Sequence, residues 1–117
     1  MEFGEIEEFK KDLKKLSKKF STLPDDLEIV KKVLTVSPEE RPPFSYRIDG
    51  LGIETCIIKV RKIACKSLKG RGSESGLRIV YAHYKIEERI VFIELYFKGD
   101  KENEDRERIL RDFKYRD

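Results

Sequence analysis

The chain has few of the residues from which metal sites and nucleophilic active sites are usually built. It contains one histidine and two cysteines among 117 residues. These side chains cannot supply the four ligands of a Cys/His zinc site. The sequence also has no Gly-x-x-x-x-Gly-Lys-[Ser/Thr] segment, so the phosphate-binding loop of P-loop nucleotidases is excluded. We therefore expect neither a metal nor a cofactor.

Long hydrophobic runs are missing as well. No apolar segment approaches the ~20 residues of a membrane span. Residues 1–8 lack the basic and apolar regions of a secretory signal. Cys56 and Cys65 lie nine residues apart in one β-like run, which spans about 30 Å, whereas a disulfide bridges ~6 Å. These features predict free thiols, no membrane partner and a cytoplasmic protein.

The single histidine and the cysteines are weak candidates for catalysis. His83 lies on a predicted strand between two aromatic residues, where a structural role is favoured over general acid–base chemistry. Neighbouring cations would favour a thiolate at Cys65, but both cysteines are better explained as buried apolar residues. The acidic residues show no pairing at a spacing typical of a catalytic cleft.

What the sequence does have is charge, and the basic part of it is concentrated. Charged residues make up 42% of the chain, with 26 basic and 23 acidic residues. Residues 55–81 carry seven of the basic residues against one acid, Glu74. The seven are Lys59, Arg61, Lys62, Lys66, Lys69, Arg71 and Arg78. A patch of one sign points to a polyanionic partner such as nucleic acid.

Hydrophobic periodicity predicts a single α+β domain over residues 1–117. Apolar residues recur at three- and four-residue steps in residues 5–20 and 24–34, which predicts an antiparallel helical hairpin. Four segments then have the β-branched and alternating composition of strands, and a charged amphipathic helix follows. The predicted strands are residues 44–48, a long strand from 53, 77–85 and 89–98, and the last helix is 102–113.

Strand alternation predicts where three of the cations lie. If Ile58 and Val60 face the helices, Lys59 and Arg61 share the other face of the sheet. Arg78 lies on a strand that is apolar on both sides, which is typical of a central strand. Its side chain therefore projects from a rigid backbone.

Lysine and arginine at such positions suit chemistry on an RNA phosphodiester. RNA supplies its own nucleophile, the 2′-hydroxyl, so a protein can cleave it by positioning the phosphate, stabilising charge and moving a proton. Arginine binds phosphate oxygens bidentately, and a lysine that is partly neutral can accept a proton. The same composition also fits a patch that only binds RNA or an acidic partner.

Several short motifs resemble the RelE/ParE superfamily of type II toxins. The most specific are Leu-Lys-Gly at 68–70 and Gly-Leu-Arg-Ile-Val-Tyr at 76–81. Residues 9–16, 58–62 and 92–102 are also similar to that superfamily.

The resemblance implies a helical hairpin packed on one face of a twisted antiparallel sheet, with a short C-terminal helix. It also implies one of two activities. The RelE branch cleaves mRNA in the ribosomal 30S A site without a metal and leaves 2′,3′-cyclic phosphate ends, whereas the ParE branch inhibits DNA gyrase. Both are neutralised by a cognate antitoxin. A homodimer or a toxin–antitoxin hetero-oligomer is the assembly to expect.

The same resemblance suggests roles for individual residues. Arg78 matches the phosphate-binding arginine, Lys59 and Arg61 resemble the basic pair that includes the proton acceptor, and Lys98 lies near the late-strand arginine. We take these four as the candidate catalytic residues. The candidate RNA-binding residues are Lys62, Lys66, Lys69, Arg71, Lys101, Tyr81 and Tyr96.

One element of the family pattern is absent. The tyrosine that stacks on the scissile base should follow Lys98 by several residues, but residues 102–106 read Glu-Asn-Glu-Asp-Arg. Tyr81, Tyr96 or Tyr115 can substitute, and an acid can take over proton transfer. Three hypotheses therefore stand: an mRNA interferase, a gyrase inhibitor without nuclease activity, and a non-toxic relative that binds RNA or a protein partner.

Overall fold

The computed structural model of the protein describes residues 1–113, and this part of the chain forms an α+β fold with three helices and a five-stranded mixed sheet. The strands are β1 (Glu2–Glu5), β2 (Ser45–Arg47), β3 (Cys56–Val60), β4 (Leu77–Tyr84) and β5 (Arg89–Phe97). The helices are α1 (Glu7–Ser17), α2 (Leu23–Val36) and α3 (Arg106–Phe113). The strand order is β1-β5-β4-β3-β2. None of the described helices is long and apolar enough to cross a membrane.

The first strand was not expected from the sequence. Strand β1 pairs parallel to β5, whereas β2, β3, β4 and β5 pair antiparallel as predicted. Residues 2–5 contain one large apolar side chain, Phe3, so they show no alternation that would indicate a strand. The Phe3 ring stacks on Phe92 at a centroid distance of 5.8 Å. The segment is thus a strand because of a tertiary contact with β5.

The helical hairpin covers one face of the sheet. Phe9 and Leu16 of α1 and Leu34 of α2 are buried against a sheet surface that includes Ile58 and Phe92. Each such side chain contributes roughly 1.5–3 kcal/mol through removal of apolar area from water. This face of the sheet is therefore occupied mainly by the hydrophobic core.

Helix α3 packs on the opposite face of the sheet. Ile109 and Phe113 are fully buried there, in a second apolar cluster that contains Ile57, Val80 and Ile93. Both faces of the central strands are thus partly covered, which explains why β4 and β5 have apolar residues on both sides. The part of this second face that α3 leaves uncovered is available for a site.

The chain between β5 and α3 crosses this second face. The sequence predicted a helix from residue 102, but α3 begins at Arg106. Asp105 precedes the helix, and its carboxylate accepts a hydrogen bond from the Arg108 backbone N–H at 3.0 Å, which is the geometry of an N-cap. Residues 98–105 therefore lie outside the helix, and they bring acidic and amide side chains toward the cations of the sheet.

An ion pair joins α3 to α1 beside the part of β5 that β1 does not cover. Arg108 donates to the Asp12 carboxylate at 2.7 Å and to the Ile93 carbonyl at 3.0 Å. Asp12 also accepts a hydrogen bond from the Leu95 backbone N–H at 3.1 Å. The part of β5 beyond its pairing with β1 is thus capped by side chains, as natural edge strands often are.

Candidate functional site

A polar cavity of about 250 Å³ lies on the α3 side of the sheet, beyond the edge of the apolar cluster. Its lining residues come from three neighbouring strands and from the segment that precedes α3. They are Lys59, Arg61, Arg78, Tyr96, Lys98, Glu102 and Asn103. All four candidate catalytic residues of the sequence analysis therefore meet at one place, together with Tyr96.

Strand register explains how these side chains come together. Arg78 of β4 lies directly opposite Tyr96 of β5, and Lys59 of β3 lies opposite Val80, two residues further along β4. Since residues two apart on a strand share a face, Lys59 and Arg78 point to the same side. Lys59 on β3 and Lys98, just after β5, flank Arg78 on the strand between them.

Two guanidinium groups of this cavity have no carboxylate partner among residues 1–113. Arg78 donates from Nη1 to two backbone carbonyls, those of Arg61 at 3.1 Å and Leu77 at 3.2 Å. Burial and the neighbouring Arg61 charge lower the pKa of Arg78 from its usual value, although the group stays charged at neutral pH. The guanidinium of Arg61 lies 5.5 Å from the Tyr46 ring centroid. Both cations are positioned by the fold but not neutralised by it, as an anion site requires.

Lys98 is the third cation of the cavity without a carboxylate within salt-bridge distance in the described chain. It lies at the end of β5, where its backbone N–H donates to the Gly76 carbonyl at 2.8 Å. The residue is exposed, so its ammonium can follow a bound phosphate.

Lys59 differs from the other three cations because it is already paired. Its ammonium donates to the Glu104 carboxylate at 2.7 Å. Arg106 contacts the other oxygen of the same carboxylate at 3.2 Å. The Glu104 side chain is only 6% exposed. Burial acts to raise the pKa of Glu104, but the hydrogen bonds from Lys59, its own backbone N–H and Arg106 outweigh burial and lower it.

The pairing changes the role that Lys59 can have. An ammonium that is engaged by a carboxylate serves as a hydrogen-bond donor and not as a proton acceptor. The Glu104 carboxylate is in turn engaged by two cations and does not line the cavity, whereas the exposed Glu102 does. Glu102 is therefore the carboxylate of the cavity that can act as a base. Lys59 and Glu104 are separated by 45 residues, so no local pattern indicated their contact.

The other candidate RNA-binding cations lie outside this cavity. Lys62 forms an ion pair with Glu74, and Lys101 forms one with the buried carboxylate of Glu94. Lys66 lines a mostly apolar groove beside α2. Lys69 and Arg71 are exposed on the loop that connects β3 to β4. The structure thus does not bring Lys66, Lys69 and Arg71 next to Arg78, and their contact with flanking phosphates stays a prediction.

The two candidate tyrosines within the described chain require correction. Tyr81 is 0% exposed, because β4 directs its ring toward the helical hairpin, where Oη donates to the Pro38 carbonyl at 2.7 Å. It cannot contact RNA. Tyr96 lines the cavity, but only 5% of the residue is exposed, so its ring is not free to stack on a base. Burial, with the nearby Glu104 and Glu94, raises the pKa of Tyr96 to about 12. Tyr115 lies outside the described residues.

Tyr81→Phe should therefore change stability but not RNA binding. The substitution keeps the buried ring and removes only the hydroxyl that bonds to Pro38, so we expect a loss of about 1 kcal/mol in the free energy of unfolding. Urea denaturation measures this loss, and filter binding with RNA provides the second readout. Weaker RNA binding by a folded Tyr81→Phe protein would contradict the placement of this ring.

The histidine and the cysteines take structural positions. His83 is buried, and burial lowers its pKa. Cys56 and Cys65 are free thiols, and burial raises the pKa of Cys56. No group of three metal-ligating side chains occurs within residues 1–113. Acid–base chemistry in the cavity is therefore left to carboxylate and ammonium groups.

Comparison with known proteins adds no relative: no protein-family model matches the sequence, and a search of curated proteins finds no match either.

Proposed function

We propose that this protein is the toxin of a type II toxin–antitoxin system, similar to RelE, and that it cleaves mRNA on the ribosome without a metal. One observation carries the proposal: Arg61, Arg78 and Lys98 line one cavity on a rigid sheet, and none has a carboxylate partner in the described chain. The short motifs that resemble the RelE/ParE superfamily are the reason for proposing mRNA as the substrate.

The three unpaired cations hold the scissile phosphate. The planar guanidinium groups of Arg61 and Arg78 bind non-bridging oxygens, and they stabilise the extra negative charge that develops on phosphorus. Lys98 contacts the same phosphate from the β5 side. Because Arg78 is fixed by two backbone carbonyls, little reorganisation is needed when the charge develops.

The proton steps use two groups that line the cavity. Glu102, from the segment that precedes α3, accepts the proton of the 2′-hydroxyl as the 2′-oxygen forms a bond to phosphorus. The bond from phosphorus to the 5′-oxygen breaks, and Lys98 on the β5 side donates a proton to that oxygen. The products are a 2′,3′-cyclic phosphate and a 5′-hydroxyl, and no metal or external reagent is required. In this proposal Glu102 replaces Lys59 as the proton acceptor.

The test is cleavage by the purified protein. A defined mRNA is incubated with the protein, with and without ribosomes and in the presence of EDTA, and the new ends are mapped. We expect cuts only with ribosomes, 2′,3′-cyclic phosphate ends, and growth arrest when the protein is expressed alone. Intact mRNA together with gyrase-linked DNA breaks would indicate a gyrase inhibitor. Harmless expression would instead favour a non-toxic relative that binds RNA or a protein partner.

The proposal also includes a protein partner. A cytoplasmic toxin of this kind needs a cognate antitoxin, and the assembly in the cell is then a toxin–antitoxin complex. Co-expression with the product of the adjacent reading frame should restore growth and yield a complex that co-purifies.

The pH dependence of cleavage distinguishes the two candidate proton acceptors. A glutamate carboxylate has an ordinary pKa of about 4.3, so a carboxylate acceptor is ionised throughout the neutral range. We therefore expect a single-turnover rate that is nearly constant between about pH 6 and pH 8.5. A neutral lysine as acceptor predicts a rate that rises roughly tenfold per pH unit toward the ordinary lysine pKa of about 10.4. Such a rise would show that Lys59 is the proton acceptor.

A further inference from the structure

The polar cavity lined by Arg61, Arg78 and Lys98 is called the phosphate cavity below. A second cavity of about 240 Å³ adjoins it. The two share Lys59 and Arg61 in their linings. The second is completed by residues from β2, from the turn after β2, from the segment that precedes α3 and from the first residue of α3. These are Tyr46, Arg47, Ile48, Asp49, Glu104 and Arg106. A ligand held at Arg61 in the first cavity can therefore extend directly into the second.

Tyr46 is the aromatic residue of this second cavity. It lies opposite Lys59 in the antiparallel pairing of β2 with β3, so its side chain is on the face of the sheet that carries the cations. It is 36% exposed, in contrast to the buried Tyr81 and Tyr96. The Arg61 guanidinium, 5.5 Å from its ring centroid, connects the aromatic surface to the phosphate cavity.

We propose that Tyr46 forms a nucleobase subsite for single-stranded RNA, in which the base next to the phosphate held by Arg61 and Arg78 stacks on its ring. The inference rests on the proposed function for the placement of the phosphate. Sequence-specific proteins commonly read single-stranded RNA by stacking unpaired bases on aromatic rings and arginine planes. An exposed tyrosine beside a phosphate-binding arginine provides both surfaces. This assigns a stacking role that neither Tyr81 nor Tyr96 can have.

An alternative role for Tyr46 is to support Arg61 without contacting a base. Under that alternative, loss of the ring would weaken binding of the phosphate whether or not a base is attached. A base subsite predicts instead that the effect depends on the presence of the base. An oligonucleotide that lacks one base therefore separates the two roles.

The experiment measures the affinity of a 2′-O-methyl RNA trinucleotide, which cannot be cleaved through its 2′-oxygen, by fluorescence anisotropy. A second probe is identical but abasic at its central residue. We expect Tyr46→Ala to weaken binding of the complete probe by roughly 10- to 100-fold, in line with measured base–aromatic stacking. Binding of the abasic probe should be unchanged. Tyr46→Phe keeps the ring and should bind both probes like the original protein.

The remaining outcomes overturn the subsite. Equal weakening of both probes by Tyr46→Ala would assign Tyr46 to the support of Arg61, and no effect on either probe would exclude a role in binding. Failure of the unsubstituted protein to bind either probe would remove the phosphate site as well. Base-dependent binding without any mRNA cleavage would support the subsite while refuting the nuclease. Circular dichroism confirms that each variant is folded, which is expected for an exposed position on a short edge strand.

Discussion

Arg78→Ala is expected to abolish growth arrest and to slow mRNA cleavage by roughly 10²- to 10³-fold, which is the usual cost of removing one donor that stabilises developing charge. The guanidinium is held on β4 by the carbonyls of Arg61 and Leu77, and it lines the cavity with Arg61 and Lys98. Arg78→Lys should recover little activity, because a single ammonium cannot bind two phosphate oxygens in the same plane. Cleavage kinetics and colony counts after induction measure both effects.

Stability provides the control for this substitution. Arg78 forms no ion pair within the described chain, so its removal should change the free energy of unfolding by less than about 1 kcal/mol. Arg89→Ala is the matched variant, since it removes an exposed arginine from the start of β5, outside the cavity and outside the candidate RNA-binding residues. We expect Arg89→Ala to retain the toxicity. A folded Arg78→Ala protein that arrests growth like the original would refute the role of Arg78.

Arg108→Ala is expected to lower the free energy of unfolding by about 2–4 kcal/mol. The side chain is 12% exposed and bonds to both Asp12 and the Ile93 carbonyl, so its loss leaves a partly buried carboxylate without its cation and a carbonyl without its donor. This loss in the free energy of unfolding is smaller than that for a fully buried ion pair, because Asp12 retains some contact with water. Urea denaturation of both proteins measures the difference.

Helix α3 also offers a matched control for this prediction. Arg111 lies three residues further along the helix and pairs with Glu8, but its side chain is 58% exposed. Exposed ion pairs contribute little, so Arg111→Ala should cost less than about 1 kcal/mol. In a double-mutant cycle, Asp12→Ala and Arg108→Ala should together cost clearly less than the sum of the single variants. Additive costs would show that Asp12 and Arg108 do not stabilise each other.

The position of the cations was largely predictable from sequence, because it depends on local geometry. Alternation along β3 is sufficient to place Lys59 and Arg61 on one face, and Arg78 falls within a strand whose composition is clear. The helical hairpin was predictable for the same reason. Its apolar residues repeat with helical period, and Pro24 lies at the start of α2, a position that proline favours.

Features that depend on contacts between distant segments were not predictable in this way. The pairing of Lys59 with Glu104 joins residues far apart in sequence, and β1 forms because Phe3 meets Phe92. Tyr46 could be assigned to the site only after the register of β2 against β3 was known. Each of these requires the tertiary arrangement and not a pattern along the chain.

The tyrosines show why strands with two apolar faces are difficult to interpret. Tyr81 and Tyr96 lie on neighbouring strands of the sheet but face opposite sides, one toward the helical hairpin and the other toward α3. When both faces of a strand are covered, apolar composition does not reveal which aromatic side chains reach the solvent. On each face, exposure depends on how the helices pack over the sheet, and the sequence alone does not specify that.

The most direct test of the account is to observe which arginines contact a single RNA phosphate. Nε–Hε resonances of ¹⁵N-labelled protein can be followed by NMR during titration with the 2′-O-methyl RNA trinucleotide. We expect the signals of Arg61 and Arg78 to shift together with one affinity while that of Arg89, at the start of β5, stays unchanged. Shifts confined to Arg71 and the loop around it, with Arg61 and Arg78 unaffected, would contradict a phosphate site on this face of the sheet.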